Sequence, residues 1–130
     1  MPKKGSQLKI LIIGGGMSGL TLANLLEQQG MQFDIIERME DWTHAGYSLG
    51  LWPLGSRILK GLGLFEEFKK ITTPLEEYYV FNKKGKKISY VNVREVLEDE
   101  NMIRMITRKE LLNLFLNKNL KNLMRLIKWL

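Results

Sequence analysis

The sequence predicts an α/β protein in which a parallel strand–helix–strand unit is followed by an antiparallel hairpin and a C-terminal helix. Three observations carry this prediction: an apolar run that ends in a glycine cluster, a helix-periodic stretch directly after it, and two later β-forming runs around a lysine-rich turn. The chain has 130 residues, which suits one modest domain with one core. We therefore expect a single domain with the parallel unit at 8–38, the hairpin at 76–93, and a helix with a basic tail at 107–130.

The parallel unit begins with a strand predicted at residues 8–13. A nearly continuous run of leucine and isoleucine is typical of a strand buried on both faces of a parallel sheet. Apolar side chains at helical spacing then predict a helix from Met17 to Gln29, which Gly30 ends. A second buried strand is predicted at 33–37, and the crossover between the two strands is expected to be right-handed.

The middle of the chain predicts shorter elements. Residues 47–51 look extended, a helix follows over 53–59 with proline in its first turn, and another short helix is predicted over 65–70. Two β-forming runs, 78–82 and 87–93, enclose a turn of three lysines and a glycine. This arrangement predicts an antiparallel hairpin that lies outside the parallel layer.

The last predicted helix begins with a capping signal. Thr107 is followed three residues later by Glu110, an arrangement in which each side chain can satisfy a backbone N–H of the other residue. We expect this helix to continue through about Asn119.

A glycine pattern, Gly14-x-Gly16-x-x-Gly19, lies between the first strand and the first helix. In such a turn the first glycine permits the tight bend, the second lets the backbone approach a pyrophosphate, and the third lets helix and strand pack closely. The pyrophosphate would rest on the N–H groups of the first helical turn, around Met17 and Ser18. The alternative is an ordinary glycine-rich turn between a core strand and a core helix.

Glu37 favours the first interpretation. It stands at the end of the second strand, where an acid accepts hydrogen bonds from the ribose hydroxyls of adenosine and disfavours a 2′-phosphate. The strand, glycine turn, helix and acid together predict a Rossmann-like unit that holds the ADP half of a dinucleotide. The unit alone does not separate NAD from FAD, because both present the same ADP half.

Later segments carry a resemblance to a known family. Five segments carry it: residues 10–30, residues 36–38, residues 46–53, residues 57–64 with their Gly-Leu-Gly-Leu ending, and residues 104–111. Together, over roughly residues 8 to 117, the chain resembles the N-terminal portion of FAD-dependent monooxygenases of the p-hydroxybenzoate hydroxylase type, which are aromatic-ring hydroxylase-like flavoproteins. The resemblance implies FAD as cofactor, NAD(P)H as the reductant of the complete enzyme, and hydroxylation of a small organic substrate, aromatic compounds included.

The resemblance also implies roles for particular residues. The turn from Gly14 to Gly19 would hold the pyrophosphate, Glu37 and Arg38 would hold the adenosine ribose region, and Arg108 would reach the pyrophosphate or the ribityl chain. The alternative for Arg108 is a solvated side chain in the first turn of a helix. Gly50 departs from the family, since some relatives carry a polar flavin contact there. No residue is predicted to be catalytic or to bind a metal.

The end of the chain departs from the family pattern. The family completes its flavin site with a Gly-Asp motif far downstream, and neither that motif nor the next parallel strand is recognised here. Residues 118–130 instead contain four cations and no acid. Truncation or a frameshift would produce such a tail, and a basic amphipathic helix on an anionic membrane surface is the alternative. A non-hydroxylating FAD oxidoreductase and an inactive truncated fragment are the other functional hypotheses.

The composition argues against several classes of protein and of binding site. Cysteine is absent and His44 is the single histidine, so a disulfide framework or a thiolate or histidine metal cluster is not expected. The formal net charge is +6, with three lysines among the first nine residues and four cations in the last thirteen, but acidic stretches such as 37–41 and 95–100 lie between them and no central basic stripe with interleaved aromatics favours nucleic-acid binding. The apolar run before the glycines is too short for a signal peptide or membrane span, so a cytoplasmic location is expected. The oligomeric state is left open.

Overall fold

The computed structural model describes residues 9–39, 46–98 and 101–116, together with the backbone of 124–126. In chain order its elements are β1 (Ile10–Ile13), α1 (Met17–Gln28), β2 (Phe33–Glu37), β3 (Ser48–Leu51), α2 (Pro53–Gly61), α3 (Phe65–Ile71), β4 (Thr73–Pro74), β5 (Glu77–Phe81), β6 (Lys87–Asn92), α4 (Val93–Val96), β7 (Arg104–Thr107), α5 (Arg108–Phe115) and β8 (Met124–Leu126).

The chain divides into two compact units. The first contains residues 1–45 and 111–130, and the second contains residues 46–110. The sequence predicts a single domain made of three segments, and this domain assignment stays a prediction. The fold class is confirmed, because the parallel unit, the antiparallel hairpin and the later helix are all present.

The first unit contains the predicted strand–helix–strand arrangement. β1 and β2 run parallel, with Ile10 opposite Phe33 and Ile13 opposite Ile36. α1 ends one residue earlier than predicted, and the N–H of Gly30 donates to the carbonyl of Glu27. The predicted βαβ unit is therefore formed within a residue or two of its expected bounds.

A third parallel strand corrects the prediction for the end of the chain. β8 pairs with the free edge of β2, with Ile35 opposite Met124 and Glu37 opposite Leu126, so the strand order is β1-β2-β8. The sequence carries no signal for this strand, because a segment this short has no periodicity of its own and depends on a partner far away in the chain. The rest of the predicted basic tail lies outside the described residues.

Burial of β1 also differs from the prediction. Ile12 is buried, but Leu11 is 56% exposed and Ile13 is 75% exposed. Since successive side chains of a strand point to opposite faces, the described residues cover one face of β1 and leave the other open. The expectation of a strand buried on both faces is therefore wrong for this structure.

The core of the first unit lies between α1 and the later part of α5. Leu20 and Ala23 of α1 and Leu112 of α5 are fully buried. Asn24 is buried with them, and its Nδ2 donates to the carbonyls of Leu20 (2.8 Å) and Phe115 (3.0 Å). A buried amide with both partners present holds α1 in a fixed position, which in turn fixes the start of the helix.

The second unit contains two antiparallel sheets. β7 lies between β3 and β4, and β5 pairs with β6. The predicted hairpin is confirmed, and the Oδ1 of Asn82 closes its turn by accepting from the N–H groups of Lys84 (2.9 Å) and Lys86 (3.0 Å). Side chains facing inward from the helices, such as Phe68 and Leu59, are fully buried.

The predicted capping box at the start of α5 is confirmed. The Oγ1 of Thr107 accepts from the N–H of Glu110 (3.2 Å), and the Oε2 of Glu110 accepts from both the N–H (3.2 Å) and the hydroxyl (2.6 Å) of Thr107. α5 ends at Phe115, earlier than the predicted Asn119, and residues 117–119 lie outside the described part. No helix among the described residues is long and apolar enough to cross a membrane.

Candidate functional site

The glycine turn after β1 has the geometry that its sequence requires. Gly14 has a φ of +105°, a conformation that residues with a side chain rarely adopt, and its N–H donates to the carbonyl of Ile36 (2.8 Å). Gly16 is the N-cap of α1, and a Cβ added to it would meet nothing within 4 Å. The turn therefore leaves open space beside its backbone at Gly16.

Gly19 serves a different purpose. A Cβ added there would lie 2.0 Å from the carbonyl oxygen of Gly14 and 3.3 Å from Cγ2 of Ile12. α1 thus passes so close to the end of β1 that only a hydrogen can stand between them. This is the close packing of helix against strand that the third glycine predicts.

The N-terminus of α1 presents unpaired donors. The first N–H groups of any helix have no partner within the helix, and Gly16, the N-cap residue, has no side chain that could accept from them. The first turn, which contains Met17 and Ser18, carries no acid that would offset the positive end of the helix dipole. This end of α1 is suited to an anionic group.

Glu37 reaches back from the end of β2 to the glycine turn. Its Oε2 accepts from the N–H of Gly15 (2.6 Å), and its Oε1 accepts from the N–H of Met39 (2.8 Å). Partial burial alone would raise the pKa of Glu37, but the N–H groups of Met39, Gly15 and Arg38 and the charge of Arg38 together outweigh burial and lower that pKa. Glu37 is therefore ionised at neutral pH, and each oxygen keeps a lone pair that can accept from a hydroxyl.

The structure brings together most of the residues singled out from the sequence. Glu37 is hydrogen-bonded to Gly15 within the turn of residues 14–19, and Arg38 follows as an exposed side chain. Arg108 begins α5 in the second unit, where its N–H donates to the carbonyl of Tyr47 (3.1 Å), and as a cofactor contact it stays a prediction. Gly50 lies on β3, also in the second unit.

Sequence reasoning missed the contacts that fix Glu37. It placed this acid opposite a ribose, but not on the N–H groups of Gly15 and Met39. The signal for Gly15 was present, since the middle glycine of a Gly-Gly-Gly turn has an N–H close to the end of the neighbouring parallel strand. No local pattern points to Met39.

A family model described as an FAD binding domain matches residues 7–122. The chain belongs to this family. The dinucleotide that the βαβ unit alone left open is therefore FAD. Open space at Gly16, an uncapped helix start and an ionised Glu37 with free lone pairs all fit the ADP half of that cofactor.

Curated proteins similar to this chain include FAD-dependent monooxygenases. It is 37% identical over 94 residues to an FAD-dependent monooxygenase of Aspergillus novofumigatus, covering 72% of this chain and 20% of that protein. It is 32% identical over 114 residues to an FAD-dependent monooxygenase of a Nectria species, covering 85% of this chain and 15% of that protein. The chain thus spans about a fifth of the length of the curated relatives it matches.

Solved structures of similar fold include HpxO of Klebsiella pneumoniae in complex with FAD and uric acid. That structure has a TM-score of 0.78 and 20% identity, covering 96% of this chain and 32% of the other. A tetrameric form of 2-methyl-3-hydroxypyridine-5-carboxylic acid oxygenase has a TM-score of 0.77 and 23% identity, covering 94% of this chain and 32% of the other. At these identities the likeness establishes the fold.

Proposed function

We propose that the first unit holds the ADP half of FAD and that the chain is the FAD-binding part of a monooxygenase. The observation that carries the proposal is the position of Glu37, ionised and hydrogen-bonded to the N–H of Gly15 at the edge of an uncapped helix start. N–H groups that can bind an anion thus lie beside a carboxylate that can accept hydrogen bonds from hydroxyl groups. A diphosphate joined to a ribose requires this combination.

Each residue has a defined task in this proposal. The N–H groups around Met17 and Ser18 face the pyrophosphate, and the missing side chain of Gly16 lets the backbone approach it. The carboxylate of Glu37 accepts from the ribose hydroxyls. Arg38 adds a positive charge beside that carboxylate, and Arg108 contacts the pyrophosphate or ribityl region.

The complete protein is proposed to hydroxylate a small organic substrate, using NAD(P)H and O₂. FAD supplies the redox chemistry when bound, and the residues of this chain bind and orient it. Support comes from the relatives, which carry the name FAD-dependent monooxygenase. A cytoplasmic location fits a reaction that draws on NAD(P)H.

Binding of FAD to the purified chain tests the first part of the proposal. Bound flavin should change its fluorescence, and saturating FAD should raise the melting temperature by mass action. ADP-ribose should compete with FAD. Its 2′-phosphate derivative should compete about tenfold less well, because the charge of Glu37 repels a second anion at the ribose.

A matched variant separates specific from general anion binding. Glu37→Gln removes the charge with little change in shape, so it should weaken FAD binding and reduce the discrimination against the 2′-phosphate. Equal competition by both nucleotides in the unaltered chain would contradict the role of Glu37. An unchanged flavin signal together with an unchanged melting temperature would overturn FAD binding by this chain and favour an inactive fragment.

The hydroxylation proposal is tested on the longest reading frame that contains these residues. With a substrate present, NAD(P)H oxidation should be matched by O₂ uptake and by one oxygen atom in the product. Oxidation of NAD(P)H with no oxygen incorporated into any product would instead identify a non-hydroxylating FAD oxidoreductase.

A further inference from the structure

The turn of the β5–β6 hairpin is strongly basic. The turn and its flanks carry four exposed lysines, Lys83, Lys84, Lys86 and Lys87. No acid occurs in the sequence between Glu77 and Arg94. Positive charge is therefore concentrated at one end of the hairpin, in the middle of the chain.

Large apolar side chains lie exposed beside these lysines. Phe81 is 58% exposed and Ile88 is 61% exposed. Val80 is opposite Ser89 and Phe81 is opposite Lys87, so Ile88 is an extra residue that bulges out of the pairing. The segment 81–88, called here the basic tip, thus combines cations with an exposed aromatic and an exposed aliphatic side chain.

The backbone of the basic tip is hydrogen-bonded within the tip itself. The N–H of Asn82 donates to the carbonyl of Lys86 (2.9 Å), and the N–H of Gly85 donates to the carbonyl of Asn82 (2.9 Å). The side chain of Asn82 accepts from two further N–H groups, those of Lys84 and Lys86. Few backbone groups would therefore lose a water partner if the tip entered a less polar medium.

Two tyrosines of the hairpin are engaged with the chain's own side chains. Tyr79 and Tyr90 pair across the strands with their ring centroids 5.0 Å apart, and Nζ of Lys87 lies 5.2 Å and 5.5 Å from these centroids. Both hydroxyls donate to the carboxylate of Glu77, at 2.8 Å and 3.3 Å. Nucleobases bind by stacking on open aromatic faces, so this arrangement does not favour a nucleic-acid partner.

We infer that the basic tip binds the surface of an anionic lipid membrane. The ammonium groups pair with anionic headgroups, and Phe81 and Ile88 enter the boundary between headgroups and acyl chains. An apolar protein surface over the tip would bury four ammonium groups without partners, which is strongly unfavourable. A membrane surface, in contrast, offers anions directly beside an apolar phase. This mode of binding requires no membrane-spanning helix and does not depend on the proposed FAD site.

Sedimentation of the 130-residue chain with lipid vesicles tests the inference. Vesicles of equal parts phosphatidylserine and phosphatidylcholine should retain the chain, and vesicles of phosphatidylcholine alone should bind it at least about tenfold less tightly. Raising the salt concentration from about 0.1 M to about 0.5 M should release most of the bound chain, because salt screens the charges.

Two charge-matched double variants locate the binding surface. Lys83→Gln combined with Lys84→Gln should lower the vesicle partition coefficient by about tenfold or more. Lys70→Gln combined with Lys109→Gln removes the same charge from exposed positions on α3 and α5. This control should change the partition coefficient by less than about twofold, because screened charges away from the lipid contribute little.

A fluorescent label tests whether the apolar part of the basic tip enters the lipid. The chain contains no cysteine, so a single introduced cysteine can be labelled uniquely. A nitrobenzoxadiazole label on Ile88→Cys should brighten and shift to the blue when anionic vesicles are added, and nitroxide groups on the acyl chains should quench it. The same label on Glu67→Cys, at an exposed position of α3, should not respond.

Three results would overturn the inference: equal binding to both kinds of vesicle, equal losses in the two double variants, or a label at position 88 that stays in water while the chain is bound. Poly-glutamate and a single-stranded polynucleotide offer anions without an apolar phase. Binding of either polymer as tight as that of anionic vesicles would identify an acidic protein or a nucleic acid as the partner instead. Preference for anionic vesicles, a loss specific to the basic tip and a quenched label together would support the membrane surface.

Discussion

Gly16 and Gly19 belong to one turn but have separable roles, and alanine substitutions distinguish them. Gly19→Ala forces a Cβ to within 2.0 Å of the Gly14 carbonyl, so backbone must move. We expect the free energy of unfolding to fall by about 2 kcal/mol, as is usual for overpacking. Chemical denaturation measures this change.

Gly16→Ala is the matched comparison. The added methyl group meets no atom of the protein within 4 Å, so the free energy of unfolding should fall only by about 0.5 kcal/mol, which reflects the preference for glycine over alanine at a helix N-cap. FAD binding should nevertheless weaken, because the methyl group occupies the approach to the pyrophosphate. Equal loss of stability in both variants would contradict this separation of roles.

Glu37 should give the stability of the chain a distinctive pH dependence. Its pKa is lowered in the folded state, so its stabilisation is present above the pKa of an unfolded carboxyl and is lost as the pH falls through the lowered value. Glu37→Gln replaces one acceptor oxygen with an NH₂ group that cannot accept from Gly15 or Met39. We expect a loss of about 1 kcal/mol at pH 7.

Urea unfolding at neutral and acidic pH checks this prediction. The difference between the two proteins should shrink as the pH falls below the ordinary carboxyl range. Glu98→Gln, which removes an exposed carboxylate outside the helices and strands, is the control and should leave the free energy of unfolding unchanged at neutral pH. A difference between Glu37→Gln and the unaltered chain that does not vary with pH would argue against an ionised Glu37 as its source.

At the scale of the secondary-structure elements, the capping box of α5 is open to a direct test. Thr107→Ala removes the hydroxyl that bonds to Glu110, and helix N-caps of this kind contribute about 1 kcal/mol. The hydrogen bonds from Thr107 also lower the pKa of Glu110, so the same variant should raise that pKa toward its ordinary value.

Thr107→Ser is the control, since it keeps the hydroxyl. Its stability and the pKa of Glu110, followed by NMR titration of the side-chain carboxyl, should stay near those of the unaltered chain. A pKa of Glu110 that does not respond to Thr107→Ala would show that the capping contact is not formed in solution.

Elements with local signals were predictable from the sequence, and elements defined by distant partners were not. α1 has a glycine turn before it and Gly30 after it, and the hairpin has its own turn, so neither depends on the rest of the chain. β4 and β7 are short strands that depend on pairing with distant segments, β4 with β7 and β7 with β3 as well, and β8 depends on the free edge of β2.

The candidate site follows the same rule. Each glycine and Glu37 could be assigned from spacing, because the βαβ unit is local and its geometry is fixed by parallel pairing. Neither the hydrogen bond from Met39 to Glu37 nor an apolar cavity in the second unit could be predicted from the sequence. The cavity walls come from β3, β7, the hairpin and α4, and no single stretch of sequence shows that these elements lie together.

At the scale of the whole molecule, the chain leaves apolar surface exposed in both units. Leu11 and Ile13 face outward from β1 in the first unit, and Trp52 and Val96 face outward in the second. The chain also spans about a fifth of the length of its curated relatives. Large exposed apolar side chains of this kind are typical of surfaces that contact further protein or a ligand.

Removal of β8, the third strand of the parallel sheet, should affect the whole first unit. β8 covers the edge of β2 as far as Glu37, so its removal should leave unpaired backbone groups beside the candidate site. A chain that ends after Leu116 should therefore show faster amide hydrogen exchange at residues 35–37, weaker FAD binding and a greater tendency to aggregate.

The hairpin of the second unit is the internal control for this experiment. β5 and β6 pair with each other and not with β8, so their amides should exchange at the same rate in both chains, as measured by mass spectrometry. Equal acceleration in the hairpin and in β2 would mean that truncation destabilises the fold as a whole. Unchanged exchange at 35–37 would mean that β8 contributes nothing to the strand that positions Glu37. Selective acceleration at β2 together with weaker FAD binding would show that β8 supports the cofactor site at a distance from the glycine turn.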